Sequence, residues 1–186
     1  MSLFAAVRLP PEILFGKGQR HVIPIVAARL GRRALVCTDE RFAATAAFAE
    51  IVVALERSSI DVLVHDRVLP DVPRDTVAVC VKEAREFAPD MVIGIGGGSC
   101  LDMAKCAALL ISHGGKLQDY YGELKVPGPT LPLIAVPTTA GTGSEVTPVA
   151  VISDPDRTLK VGISSPHLIA TAAICDPELT ISCPRD

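Results

Sequence analysis

The fold is decided by the stretch MVIGIGGGSC, which spans residues 91–100. A short apolar run meets three consecutive glycines, and residues 99–113 then continue as a mostly apolar segment. This pattern predicts a buried strand, a tight turn and a buried helix. The turn lacks Cβ atoms, and the start of a helix offers unpaired N–H groups with a partial positive charge. Such a strand–turn–helix unit can hold a pyrophosphate group.

The same residues allow an interpretation without a ligand. Ser99 could cap the helix, and Asp102 could complete a variant of the capping box. The loop is not a G-x-G-x-x-G fingerprint, because a serine occupies position 99. No G-x-x-x-x-G-K-[ST] motif occurs either, so the sequence does not favour a kinase or an ATPase.

Strands and helices alternate around this unit, which predicts an α/β fold with a parallel sheet flanked by helices. After residue 137 the pattern changes, and two apolar segments around Asp154-Pro155-Asp156-Arg157 predict a β-hairpin. The predicted helices cover residues 18–30, 41–57, 74–87 and 99–113. The predicted strands cover residues 35–38, 60–64, 91–95, 131–136 and 172–176, with hairpin strands at 146–153 and 158–163.

Composition limits the possible partners. The chain has 186 residues, is 49% hydrophobic and carries a net charge of −3, which is typical of one globular domain. Its basic residues are scattered, so nucleic acid is not an expected partner. We expect no transmembrane segment and no signal peptide. The six cysteines form no C-x-x-C pair, which favours reduced thiols in a cytoplasmic protein.

Asp39 follows the predicted strand 35–38 directly. An acidic residue at this end of a strand can accept hydrogen bonds from an adenosine ribose. Its charge would repel a 2′-phosphate and so favour NAD over NADP. The alternative is that Asp39 caps the helix that begins near Arg41.

The segment PTTAGTGSEVT, residues 137–147, follows another predicted strand. Its glycines and small hydroxyl residues allow close approach to a phosphate or ribose and can donate hydrogen bonds. An ordinary polar turn is the alternative. Because this loop and the glycine turn follow two strands of one sheet, we expect them to share a ligand site.

Taken together, these motifs resemble the iron-containing (group III) alcohol dehydrogenase family, which shares a superfamily with glycerol dehydrogenase and dehydroquinate synthase. The resemblance runs from residue 15 to residue 184 and rests on ordered motifs. They are G-G-G-S-x-x-D-x-A-K at 96–105, PTTAGTGSEVT at 137–147, Lys160 before Ser165-Pro166, and DPELT at 176–180. It implies a dehydroquinate synthase-like, Rossmann-like N-terminal domain, here residues 1–186, with a β-hairpin insertion.

The resemblance also implies roles for individual residues in binding NAD. Asp39 would bind the ribose, residues 97–99 the pyrophosphate, and Asp102 would lie near the nicotinamide end. Asp71 stands where the family often has an asparagine beside the adenine. The full set of implied cofactor-binding residues is Asp39, Gly97, Gly98, Ser99, Asp102, Thr138, Thr139, Thr142, Ser144, Lys160 and Leu179.

The family's divalent metal, usually iron or zinc, is held by an Asp and three His of a helical domain, which would begin after residue 186. We therefore expect no metal ligand and no catalytic residue in this chain, and we interpret its four histidines, His21, His65, His113 and His167, as ordinary. The complete enzyme would transfer a hydride between a primary alcohol or aldehyde and NAD, with the metal as Lewis acid. This chain alone would bind NAD(H) without turning over alcohol.

The same residues are compatible with two other functions. The chain could belong to a relative such as maleylacetate reductase or glycerol dehydrogenase. It could also be a stand-alone nucleotide-binding or interaction domain. By resemblance, the expected partners are a small alcohol or aldehyde and a second copy of the chain in a homo-oligomer.

Overall fold

The computed structural model describes residues 7–181 and residue 183. Residues 1–6, where the sequence predicts no signal peptide, lie outside the described part. The strands are β1 (Glu12–Phe15), β2 (Arg33–Cys37), β3 (Asp61–His65), β4 (Met91–Gly96), β5 (Gly122–Glu123), β6 (Leu133–Pro137), β7 (Val149–Ile152), β8 (Val161–Ser164) and β9 (Ala172–Cys175). The α-helices are α1 (Ile23–Leu30), α2 (Glu40–Ala43), α3 (Ala46–Arg57), α4 (Arg74–Phe87) and α5 (Gly98–His113).

Six strands form one parallel sheet in the order β1-β9-β6-β4-β2-β3. This confirms the predicted fold class. Every residue of the central strands β4 and β6 is buried, because helices cover both faces of the sheet. Gly94 marks how closely α5 approaches, since a Cβ there would lie 2.9 Å from the Cβ of Ala104.

The two faces of the sheet have separate apolar cores. Helices α1, α2 and α3 pack on one face, where Ile23, Leu55 and Val36 belong to one core. Helices α4 and α5 pack on the other, where Val81 and Leu101 belong to the second core. The helices that follow β2 and β4 therefore lie on opposite faces, although these strands are neighbours. Such a reversal opens a crevice at the carboxyl ends of the two strands, which is where open α/β sheets bind ligands.

A second, three-stranded sheet has the order β5-β8-β7. Strands β7 and β8 are antiparallel, which confirms the predicted hairpin with shorter strands. The two-residue strand β5 pairs with β8 and carries no sequence signal long enough to predict it. Ala150, Ile152 and Ile163 face inward and join the core beneath α5.

A buried ion pair fastens this second sheet to α5. Asp102 is 6% exposed, and its Oδ1 and Oδ2 accept hydrogen bonds from Ser144 Oγ at 2.9 Å and from the Val151 N–H at 3.0 Å. Lys105 is 1% exposed and donates through Nζ to the carbonyls of Thr147 and Val149, at 3.0 and 2.6 Å. Burial raises the pKa of Asp102 and lowers the pKa of Lys105, while each charge opposes the shift of the other.

Further elements differ from the sequence prediction: the α-helix expected over 18–30 begins only at Ile23. The predicted helix 41–57 is two helices, because Thr45 interrupts it and caps α3 by accepting the Phe48 N–H at 3.2 Å. Ala-rich segments favour helix throughout, so only the capping geometry reveals the break. Strand β1 was not predicted: it is four residues long and half-exposed at the sheet edge, so its pattern is weak. Within the described residues, no helix is both long and apolar enough to cross a membrane.

The pair of Asp102 and Lys105 should matter for stability. We expect Asp102→Ala to lower the free energy of unfolding by about 3–5 kcal/mol in urea denaturation, because it leaves the buried Lys105 cation without its carboxylate. The double variant Asp102→Ala/Lys105→Met removes the stranded charge and should recover part of the loss. A loss below about 1 kcal/mol for the single variant, or no recovery in the double variant, would contradict this role.

Candidate functional site

The glycine turn after β4 is held by close contacts that exclude side chains. Gly96 has φ +149°, and a Cβ there would lie 2.4 Å from Cys100 Sγ. At Gly98 a Cβ would lie 2.9 Å from Thr142 Cγ2. The turn therefore needs its glycines for packing against both α5 and the loop after β6, and its backbone stays bare on the remaining side.

The N-terminus of α5 has no side-chain cap. The helix begins at Gly98, its N-cap residue is Gly97, and no side chain bonds to the cap. The alternative interpretation of Ser99 and Asp102 as a capping box is therefore wrong: Ser99 Oγ accepts the N–H of Asp71 at 3.0 Å instead. The first N–H groups of a helix have no partner within it. An uncapped helix start beside a cleft is suited to bind an anion.

Asp39 lies next to this turn, at the carboxyl end of β2. It caps α2, since its Oδ1 accepts the Phe42 N–H at 3.0 Å. Its second oxygen, Oδ2, lies 3.6 Å from Cys100 Sγ. The capping interpretation is thus correct, and it leaves one carboxylate oxygen available on the side of the glycine turn.

A cleft of about 520 Å³ runs between Asp39 and the glycine turn. Sites for small molecules commonly have volumes of roughly 300–1,000 Å³. The cleft is lined by Asp39, Glu40, Arg41, Arg67, Val68, Leu69, Pro70, Gly97, Gly98, Ser99, Cys100, Thr138 and Thr139. The cleft therefore brings together Asp39, the glycine turn and the first threonines of the loop 137–147.

The loop after β6 forms one wall of the cleft. The Thr138 N–H donates to the Gly96 carbonyl at 2.9 Å, which joins this loop to the glycine turn. Thr138 and Thr139 line the cleft. Thr142 packs against Gly98, whereas Ser144 is buried and bonds to Asp102.

Besides Thr142 and Ser144, three more of the predicted residues do not line the cleft. Asp102 is buried below the turn, where its oxygens bind protein donors. Lys160 Nζ pairs with Asp71 Oδ1 at 2.6 Å, beside the Ser99 contact. Leu179 is 4% exposed and belongs to the apolar core on the α1–α3 side.

The sequence did not predict the wall formed by residues 67–70, nor the cationic side chains of Arg41 and Arg67 at the cleft. Residues 67–70 follow β3, which is the neighbour of β2 in the sheet. Their place at the cleft depends on strand order, which the sequence does not reveal directly. Arg67 forms an ion pair with Glu83, whose other oxygen lies 3.0 Å from His65 Nδ1.

The described residues contain no group of three or more His, Cys, Asp or Glu that could hold a metal ion. His65 is buried beside Glu83, and His113 Nε2 lies 3.1 Å from the Gly128 carbonyl. The six cysteines are free thiols.

Comparison with known proteins identifies the family of the chain. A model of the family "Iron-containing alcohol dehydrogenase" matches residues 10–177. The NAD-dependent methanol dehydrogenase of Bacillus methanolicus is 35% identical over 178 residues, which cover 95% of this chain and 46% of that protein.

Two solved structures extend the likeness to the fold. A 1,3-propanediol oxidoreductase superposes with a TM-score of 0.94 at 30% identity, over 98% of this chain and 48% of that one. The sulfoacetaldehyde reductase of Bifidobacterium kashiwanohense, solved in complex with NAD+, gives a TM-score of 0.84 at 31% identity, over 98% and 49%. The chain thus spans about half the length of the relatives it matches. With the family match covering most of its residues, the chain belongs to the iron-containing alcohol dehydrogenase family.

Proposed function

We propose that this chain binds NAD(H) in the cleft between β2 and β4. The proposal rests on the positions of two features in the cleft. The carboxylate of Asp39 and the uncapped N-terminus of α5 line the same cleft, at the carboxyl ends of adjacent strands. A dinucleotide presents a hydroxyl-bearing ribose and a diphosphate close together, so these two features match its two polar groups.

The glycine turn would hold the diphosphate. Gly97 and Gly98 expose backbone without Cβ atoms, and the N-terminus of α5 contributes positive charge. Thr138 and Thr139 offer hydroxyl groups from the adjoining loop after β6. These donors can bind phosphate oxygens without any residue changing its protonation state.

Asp39 would select the cofactor. An ionised carboxylate accepts hydrogen bonds from the ribose hydroxyls and repels the 2′-phosphate of NADP. The role fits its geometry, because capping of α2 occupies only Oδ1. The two relatives named for NAD, the methanol dehydrogenase and the NAD+-bound reductase, support the same preference.

We further infer that the chain is the NAD-binding domain of a longer dehydrogenase. The bound nicotinamide would accept or donate a hydride, and the residues of this chain would hold it in position. A helical domain following residue 186 would supply the ligands for iron or zinc, and the substrate would be a primary alcohol or aldehyde. We also propose that the longer protein is a cytoplasmic homo-oligomer. The proposal of a longer dehydrogenase is supported by the family match and by the share of each relative that this chain spans.

The diphosphate cradle can be tested with Gly97→Val. We expect it to weaken NADH binding at least tenfold in a fluorescence titration, because the added side chain would occupy the space above the bare turn. Gly128→Val is the matched control, since Gly128 lies outside the cleft with only His113 nearby. Equal affinity in the two variants, with both folded by circular dichroism, would remove the glycine turn from the binding site.

The role of Asp39 can be tested with Asp39→Ser and Asp39→Gly. Serine keeps an acceptor for the cap of α2 and removes the charge, while glycine costs the cap only a few tenths of a kcal/mol. Both variants should bind NADPH at least tenfold more tightly than the unaltered chain does, because the repulsion of the 2′-phosphate is gone. If the ratio of NADH to NADPH affinity stays the same in both, Asp39 does not contact the ribose.

Turnover can be tested on the same chain. We expect no NADH formation from NAD+ and a short primary alcohol, with or without added Fe²⁺ or Zn²⁺, because no described cluster could hold the metal that activates the alcohol. NADH binding in the same sample controls for folding. Alcohol-dependent NADH formation above a protein-free control would show that this chain carries a complete catalytic site.

A further inference from the structure

Cys100 is the one thiol among the residues that line the cleft. It lies in the first turn of α5 and is only 3% exposed. Its Sγ is 3.6 Å from Asp39 Oδ2, a hydrogen-bond contact between α5 and the carboxyl end of β2. The contact therefore joins the two elements that would bind the two polar parts of the dinucleotide.

The thiol is the donor in this contact. An ionised carboxylate has no proton to give, so the hydrogen must come from sulfur. Burial and the nearby Asp39 charge raise the pKa of Cys100 to about 12. The thiol thus keeps its proton throughout the physiological pH range.

Two donors together fix the Asp39 carboxylate. The Phe42 N–H holds Oδ1 at 3.0 Å, and the Cys100 thiol holds Oδ2 at 3.6 Å. With the first contact alone, the carboxylate could still tilt about its Cβ–Cγ bond. The second contact opposes that motion and leaves a further lone pair on Oδ2 free to accept a hydroxyl.

Gly96 makes this arrangement possible. A Cβ at this position would lie 2.4 Å from Cys100 Sγ and 3.5 Å from Asp39 Oδ2. Any larger residue would therefore displace the thiol from the carboxylate. The first glycine of the triplet serves the contact between Cys100 and Asp39 as well as the turn.

We propose that Cys100 is a positioning residue for cofactor selection: its thiol orients the Asp39 carboxylate toward the 2′-hydroxyl of the adenosine ribose. The inference rests on the proposed NAD(H) site. It adds a residue that acts through Asp39 without itself contacting the ribose. The loss of one hydrogen bond typically changes an equilibrium constant roughly three- to tenfold, which is the effect expected on affinity.

The test compares the affinities of NADH and 2′-deoxy-NADH (reduced at the nicotinamide and lacking the adenosine 2′-hydroxyl) by fluorescence titration of the full chain. The ratio, defined as the affinity for NADH divided by the affinity for 2′-deoxy-NADH, measures the strength of the hydrogen bond between Asp39 and this hydroxyl. Cys100→Ala should lower the ratio roughly three- to tenfold, and Cys100→Ser, which keeps a donor, should restore most of it. In the Asp39→Ser background, Cys100→Ala should change the ratio no further.

Cys106→Ala is the matched control, because it removes a fully buried thiol from the same helix. It should leave the ratio unchanged. An unchanged ratio in Cys100→Ala, or equal losses in the two alanine variants, would overturn the proposal while NADH binding itself stands. A ratio near one in the unaltered chain, insensitive to Asp39→Ser, would instead overturn the ribose role on which the proposal rests.

A measurement without cofactor tests the contact itself. The infrared S–H stretching band of Cys100 is identified as the band lost in Cys100→Ala. A hydrogen bond to a carboxylate shifts such a band to lower frequency, so Asp39→Ser should move it to higher frequency. A band that stays in place would overturn the contact.

Discussion

The uncapped start of α5 is the constraint on which the rest of this structure depends. The N-cap residue Gly97 has no side chain to cap the helix. The turn requires glycine because neighbouring atoms occupy the positions that side chains at Gly96 and Gly98 would take. Thr142 faces Gly98 on one side, and Cys100 fills the space beside Gly96. Because the N-terminus of α5 is uncapped, its backbone N–H groups and its partial positive charge remain available to bind an anion.

The surrounding elements hold that opening in place. The helices that follow the parallel neighbours β2 and β4 lie on opposite faces of the sheet, so Asp39, at the end of β2, lies beside the glycine turn that follows β4. Behind the turn, Asp102 and Lys105 fasten the loop after β6 and the second sheet to the same helix. Asp102, which the resemblance implied as a cofactor-binding residue, thus also stabilises the site from behind, together with Lys105.

Sequence patterns predict those parts of the fold that depend on local periodicity. The strand 91–96 and the helix after it have long apolar runs bounded by glycine, and both are found where expected. Strand order is not a local property, so the sequence does not place residues 67–70 on the cleft wall. Several polar groups near a helix start can form the capping hydrogen bond, and the sequence does not show which one does. Ser99 bonds to Asp71 and does not cap α5. Thr45 caps α3 and so divides a segment whose sequence predicts one helix.

The most direct test of this account is a crystal structure of the chain with bound NADH. The account predicts the diphosphate at the backbone N–H groups of residues 97–99 and the adenosine ribose within hydrogen-bond distance of Asp39. A dinucleotide bound at another surface, with the glycine turn empty, would contradict it.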